Sequence, residues 1–546
     1  MGMVNGSQIL ARALRKQGVD TMFYLMGGPM LDAESFCIKE GIRSIDVRHE
    51  QAAAMMAHAW GRVTNRVGVC MAASGPGTIN LTTGVGNAWA DASPLLAIGG
   101  AAPLILSGKG LFQECDQLSV FKPITKWADR CTDPQHIPDM IATALRHAST
   151  GRTGPVYVDM PANVLYKDVD EDSIVYREEG ISMARARPKG DLGAVRAAIK
   201  LLGEAERPIL VSGTGIIWSE ASEELRKFVE LAGIPFYTTP QGRGVIPDDH
   251  PLSFLAARST AFREADCIVI VGTRMNYVSS HFTPPRFRAD AKVIQINIDP
   301  GEIGLSRPCN VGVIGDAKAV LEQFVTEGRG KLNSSRYSAW VAHLREIDQA
   351  RTAEQEKRMS SDEVPIHPLR LCKEVRDFLN RDAYLIVDGQ EILNFGRQSI
   401  PTFEPGHRLN SGTWGTMGVG LPFGLGVKVA HPDKQVLVLH GDGSFGLNAM
   451  ELDTAARHKI NVVCVVSLNG GWTADTQGTK PGRDLGYTRY DKMAEALGCH
   501  GEYVEEPNQI RPALERAFAS GKPALVNVKT DHRARATTGK FAVYST

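Results

Sequence analysis

Asp442 lies in a Gly-Asp-Gly that closes the apolar run QVLVLH, and Asn469 opens an Asn-Gly-Gly that closes the next such run, VVCVVSL. A carboxylate, an amide oxygen and a neighbouring backbone carbonyl are hard donors, a set that suits Mg²⁺ better than zinc or copper. Gly443 and Ser444 follow the aspartate and lead toward a helix, whose first N–H groups favour phosphate oxygens. The chemistry in prospect is a divalent cation bridging protein to a diphosphate. Gly-Asp-Gly and Asn-Gly are also ordinary turn sequences. Their placement after successive buried strands, with a serine beside the aspartate, makes the pair more specific than either part.

Positioning such a pair requires two strands that end on one edge of a sheet. Residues 1–165 alternate helix-like and strand-like segments: QILARALRKQG, TMFYLMG, QAAAMMAHAWGRVTN, VGVCMAAS and GPVYVDMP. Continuous apolar strands separated by helices predict a parallel sheet with both faces covered. The charged stretch 166–190 reads as a linker. A second unit, 191–345, contains PILVSGTG, DCIVIVGTR and KVIQINIDP, and a charged helical connection near 336–360 leads onward. The third unit, 365–530, holds AYLIVDGQ, a glycine-rich segment ending in GVKVA, and the two runs around Asp442 and Asn469. Residues 531–546 form a tail. GTGIIW at 213–218 lacks the G-x-G-x-x-G spacing, so no dinucleotide site is read from it.

The 546 residues carry 61 Lys+Arg and 61 Asp+Glu, so no overall charge favours nucleic acid. No uninterrupted apolar run reaches the length that spans a bilayer. The N-terminus reads as a polar lead into an amphipathic helix, without a signal-peptide layout. Nine cysteines are scattered singly, without C-x-x-C, which fits a reduced cytoplasmic setting.

GDGSF followed by LNGG resembles the metal and diphosphate motif of thiamine diphosphate (ThDP) enzymes, and the likeness extends over nearly the whole chain. Leu468 stands where the family usually has the first of two asparagines. The resemblance implies an α/β fold of three doubly wound parallel-sheet domains: an N-terminal pyrimidine-binding domain, a middle nucleotide- or CoA-binding domain, and a C-terminal domain for diphosphate and Mg²⁺. On it, Asp442 and Asn469 supply side-chain ligands to Mg²⁺ and Gly471 a carbonyl. Gln390, Gly443 and Ser444 contact the diphosphate. Glu50, in RHEQAAA, matches the carboxylate that holds the pyrimidine and promotes its imino tautomer, which generates the ylid. Met417, in GTWGTMGVG, matches the apolar wedge beneath the cofactor, and the Gly415 carbonyl the acceptor for its amino group.

The middle unit resembles the group containing oxalyl-CoA decarboxylases and 2-hydroxyacyl-CoA lyases, through its AARS…AD…VGTRMN pattern. The resemblance implies nucleotide contacts from Arg258, Arg274 and Asp299, with CoA or separately bound ADP, and a CoA-phosphate contact from Arg397. Phe112-Gln113 replaces the Tyr-Glu of oxalyl-CoA decarboxylases, and residues 470–473, Gly-Gly-Trp-Thr, replace their Asn-Gly-Ile-Tyr. Phe112 and Trp472 are thus expected to form a pocket for an alkyl or aryl group, with Gln113 as a catalytic hydrogen-bonding group. The activity implied is a 2-hydroxyacyl-CoA lyase, cleaving or forming the C1–C2 bond to give formyl-CoA and an aldehyde or ketone. FQECDQ also resembles acetolactate synthases, so a carboligase of 2-keto acids stays open beside oxalyl-CoA decarboxylase. Arg533, Arg535 and Lys540 in the tail are expected to close over CoA. The resemblance further implies a homodimer at minimum, with homotetramers common among relatives.

Overall fold

In a computed structural model, residues 2–178, 186–472 and 481–536 are described. The N-terminal strands are β1 (Met3–Asn5), β2 (Thr21–Leu25), β3 (Arg43–Asp46), β4 (Gly68–Ala72), β5 (Leu95–Ala101), β6 (Trp127–Arg130), β7 (Pro155–Pro161) and β8 (Asp168–Asp170). Six of them form a parallel sheet in the order β3-β2-β4-β5-β7-β6. The middle sheet is also parallel. It contains β9 (Pro208–Ser212), β10 (Phe236–Thr238), β11 (Cys267–Val271), β12 (Lys292–Asn297) and β13 (Val311–Ile314), ordered β10-β9-β11-β12-β13. The third has β14 (Tyr384–Asp388), β15 (Arg408–Leu409), β16 (Val436–Gly441), β17 (Val463–Leu468), β18 (His500–Val504) and β19 (Ala524–Lys529), ordered β15-β14-β16-β17-β19-β18. The first and third sheets therefore wind identically. In such sheets the chain reverses direction between the first strand and the strand beside it, opening a crevice at the carboxyl edge where ligands bind. In the third sheet that crevice lies between β14 and β16.

The N- and C-terminal domains share one apolar core across the helices Glu50–Thr64 and Gly420–Ala430. Both are buried almost all round, as suits helices pressed between two sheets. Gly426 makes their close approach possible: a Cβ there would lie 2.4 Å from the Met56 carbonyl oxygen. The middle domain has a separate core. It docks through Gln241, which donates to Asp91 Oδ2 at 2.8 Å and the Asn410 carbonyl at 3.0 Å and accepts from Arg62 at 2.9 Å. One glutamine side chain thus binds all three domains.

The stretch after residue 165 is less loose than its charge suggested. β8 pairs antiparallel with β1, and Arg12 forms an ion pair with Glu171. The three residues Asp-Val-Asp are too short and too polar to advertise a strand. Among the described residues, no helix is long and apolar enough to cross a membrane.

Candidate active site

The register Gly441↔Ser467 between β16 and β17 places the residues just beyond both strands side by side. Asp442 is buried there. Its Oδ1 accepts from Gly443 N at 2.8 Å, and its Oδ2 from Gly470 N at 2.8 Å and Gly471 N at 3.1 Å. Asn469 Oδ1 lies on the same turn, 3.3 Å from Gly471 N. Burial pushes the Asp442 carboxyl up to about 6, although the three amides work the other way. A buried carboxylate held toward neutrality is what an adjacent cation would ionise.

This turn borders a recess of ≈ 40 Å³ lined by Gln390, Met417, Gly443, Ser444, Asn469 and Trp472, among others. The helices Glu391–Ser399 and Asp442–Gly446 both begin at it. Gly389, with φ 128°, turns the end of β14 so that Gln390 stands at the N-cap position of the first of them. Ser444 Oγ bonds the Asp388 and Gly441 carbonyls, at 3.1 and 3.0 Å, which holds the floor rigid. Two converging helix starts, an acidic turn and glycine-lined walls fit Mg²⁺ with a diphosphate. Among the described residues no three His, Cys, Asp or Glu side chains gather as a metal cluster. A cation at this turn would meet one carboxylate, one amide oxygen and backbone carbonyls. Gly415 is exposed, and nothing stands within 4 Å of where its Cβ would be.

Glu50 begins the helix that follows β3 and its turn. His49 caps that helix through Nδ1, which accepts from Gln51 N at 3.2 Å. Asn80 donates to Glu50 Oε2 at 2.9 Å. Oε1 faces Gly77, where a Cβ would come within 3.2 Å of it. Gln113 sits beyond the carboxyl edge of the N-terminal sheet with φ 58°, and its Oε1 accepts from Ser74 Oγ at 2.7 Å. Phe112 beside it is 87% exposed. Sequence reading missed Asn80. It also missed Gln117, which donates to the Gly100 carbonyl and Asp159 and accepts from Gly75 N, bracing the Gln113 loop. Glu50, Gln113 and Phe112 do not line the recess around Asp442. Phe112 thus lies outside the recess that Trp472 lines. Trp472 stacks over the acidic turn: a Cβ on Gly443 would strike its ring at 2.6 Å.

A far larger cavity, ≈ 1010 Å³, opens where the three domains meet. Arg152, Arg274, Asn297, Glu302 and Arg397 line it. Arg274 pairs with Glu302 at 3.0 Å. Asp299 does not line it; that carboxylate turns back to cap Gly301 N at 2.9 Å. At the cavity's C-terminal-domain side, burial and the neighbouring guanidiniums of Arg258 and Arg243 pull Arg397 down to about 10. Burial and Arg258 do the same to Arg286. The buried Arg397 Nε has no hydrogen-bond partner, and neither Arg258 nor Arg397 has a carboxylate partner among the described residues. Arg533 pairs with Asp531 at 3.1 Å and is exposed, while Ala536 N reaches Glu391 Oε2 at 2.8 Å, so the start of the tail runs beside the recess. Lys540 and Thr473 lie outside the described residues.

This fold and site define an enzyme that works with thiamine diphosphate. The descriptions "Thiamine pyrophosphate enzyme, N-terminal TPP binding domain", "central domain" and "C-terminal TPP binding domain" match residues 4–120, 195–324 and 393–528. The chain belongs to the thiamine pyrophosphate enzyme family. It is 34% identical to a 2-hydroxyacyl-CoA lyase of Arabidopsis thaliana, over 98% of this chain and 97% of the relative. It is equally 34% identical to an oxalyl-CoA decarboxylase of Escherichia coli (98% and 97%) and to the acetolactate synthase large subunit IlvG of Mycobacterium tuberculosis (97% and 96%).

Proposed function

We propose that this enzyme is a 2-hydroxyacyl-CoA lyase, making or cleaving the C1–C2 bond between a formyl-CoA unit and an aldehyde or ketone. The observation that carries the CoA part is the group of Arg258, Arg286 and Arg397, in which burial and the charge of Arg258 lower the basicity of both Arg286 and Arg397. Such a cluster, with a buried N–H still unbonded, suits the phosphates of CoA. Arg152 and Arg274 line the large cavity together with Arg397, while Arg258 and Arg286 lie outside its lining. Arg152 and Arg274 suit an adenine nucleotide, either part of CoA or separately bound ADP.

When bound, thiamine diphosphate supplies the carbon nucleophile and the sink for the electron pair of the broken bond. Asp442, Asn469 and the Gly471 carbonyl would hold Mg²⁺, and Gln390, Gly443 and Ser444 the diphosphate. Met417 would wedge the cofactor, with the Gly415 carbonyl accepting from its amino group. Glu50, with Oε2 engaged by Asn80, keeps Oε1 to hold or release a proton at the pyrimidine. Gln113, fixed by Ser74, would donate to a hydroxyl or carbonyl oxygen of the substrate. Exposed Phe112 and the recess around Trp472 belong to different halves of the site, which supports a dimer in which each chain completes the other's. Nine free cysteines support a cytoplasmic setting.

The test incubates the protein with ThDP and Mg²⁺ and follows CoA esters by mass spectrometry. Formyl-CoA with acetone or an aldehyde should yield a new 2-hydroxyacyl-CoA, and oxalyl-CoA should be consumed little. Rapid release of formyl-CoA from oxalyl-CoA would make the enzyme a decarboxylase. Turnover of pyruvate without CoA would make it a carboligase. Arg397→Ala should raise KM for the acyl-CoA roughly tenfold with kcat largely kept, because a phosphate contact binds ground and transition states alike.

A further inference from the structure

Two side chains of the C-terminal domain, Glu451 and Asn448, reach the turn that presents Glu50. Glu451 is buried, and it comes from a different domain from the two amides it holds. Its Oε1 accepts from Arg48 N and His49 N, both at 3.1 Å, and its Oε2 from Thr454 Oγ1 at 2.7 Å. Those two amides belong to the residues immediately before Glu50. Asn448, three residues earlier in the bend before the helix that Glu451 begins, accepts from Gln51 Nε2 at 2.8 Å through Oδ1 and donates through Nδ2 to the Gly418 carbonyl at 2.7 Å. Gly418 follows Met417. Residues on both sides of Glu50 are therefore tied to the C-terminal domain, and the same asparagine is tied to the loop that carries the wedge.

Other C-terminal-domain side chains reach this turn as well: Arg457 and His458 bond Asp46, and Arg48 pairs with Asp453 at 3.6 Å, but Glu451 takes the two backbone amides directly before Glu50. His49 caps the helix from within its own turn, while the part-buried amides of the exposed residues Arg48 and His49 are both taken by Glu451. An amide N–H that loses its acceptor turns toward water or another partner. Here such a shift would move the first residue of the helix, which is Glu50 itself. Proton transfer depends on heavy-atom geometry within tenths of an ångström, so the anchor acts on chemistry it does not touch.

We propose that Glu451 and Asn448 are positioning residues that fix the Glu50 turn and tie it to the Met417 loop, so that one chain's two contributions to cofactor activation are set together. The inference rests on Glu50 being the carboxylate that engages the cofactor. What Glu451 provides is acceptor geometry, so a glutamine can replace it. Its Oε1 would still accept from both amides, and its Nε2 would donate to Thr454.

The experiment compares full-length Glu451→Ala, Glu451→Gln, Asn448→Ala and Glu50→Gln with the native enzyme. It reads the deuterium exchange rate at C2 of bound ThDP by quenched NMR, and the backbone-amide protection of residues 47–51 in the cofactor-free protein by mass spectrometry. Glu451→Ala should lose protection over 47–51 and slow C2 exchange roughly 10- to 100-fold, with its melting transition kept. Glu451→Gln should restore both to within about threefold of native, a rescue that loss of packing would not show. Glu451→Ala with native exchange and native protection would overturn the proposal, as would a Gln variant as slow as the Ala variant. If Glu451→Ala does not fold, Asn448→Ala decides: exchange slowed roughly tenfold supports the coupling, and a native rate overturns it. Native exchange in Glu50→Gln would overturn the reading of Glu50 beneath the proposal. Amide protection would then still report whether Glu451 anchors the turn.

Discussion

Glu34 is buried in the N-terminal domain with neither carboxylate oxygen hydrogen-bonded among the described residues, and burial pushes it up to about 8. Its folded value lies above the unfolded one, so its favourable contribution is complete below about pH 4.5 and is lost as pH rises through about 8. Between those limits the native protein should lose up to about 1.4 kcal/mol per pH unit from this group alone. Glu34→Gln should flatten that slope, which thermal midpoints of the cofactor-free protein at about pH 6 and about pH 8 would read. Parallel slopes in the two proteins would show that Glu34 does not titrate in this range. Asp442 gives the matching prediction for ligand. A cation needs the ionised carboxylate, so apparent Mg²⁺ affinity should be flat above about pH 6 and fall about tenfold per pH unit below it. A fluorescence titration with ThDP and Mg²⁺ measures this, and Asp442→Asn should bind weakly at every pH. Asp442 and Asn469 were legible in the sequence because turn chemistry at the end of an apolar strand is local. Asn80, Gln117 and Glu451 were not, since their partners lie 30, 42 and 402 or 403 residues away and nothing near them in the chain announces the contact.

At the level of elements, the turn after β16 is built around a glycine that cannot grow. A Cβ on Gly443 would meet Trp472 at 2.6–2.8 Å, three ring atoms at once. Gly443→Ala must therefore displace the indole or move the turn, and should weaken ThDP and Mg²⁺ binding roughly 10- to 100-fold while the fold persists. Adding Trp472→Ala should recover part of the loss, because the clash is with that ring; independent effects would instead simply add. The parallel sheets were predictable from their continuous apolar strands, as was their carboxyl edge as the place for ligands. β8 was not, because three residues of Asp-Val-Asp show no alternation long enough to separate a strand from a linker. Met417 and Trp472 were legible as members of motifs. That Trp472 covers the acidic turn, in a recess that leaves out Phe112, depends on packing between strand ends that sequence does not encode locally.

For the molecule as a whole, the unusual fact is that Glu50 and Asp442 share a chain and a common apolar core, yet the recess around Asp442 does not include Glu50. The N- and C-terminal sheets have the same winding, and each presents its own crevice with part of the proposed catalytic set. Glu50 and Gln113 stand on one, Asp442 and Asn469 on the other. If a second chain supplies the missing half, isologous contact makes two equivalent sites per dimer, each with Glu50 from one copy and Asp442 from the other. Complementation tests this directly. Glu50→Gln and Asp442→Asn enzymes should each be close to inactive alone. Co-expressed and randomly paired, half of the dimers are mixed, and each mixed dimer has one site in which both residues are native. The mixture should then regain about a quarter of native activity. A site completed within one chain would regain none, because every chain would carry a defect in its own site. The recovered activity should also show native KM for the acyl-CoA, since neither substitution touches the Arg258, Arg286 and Arg397 cluster.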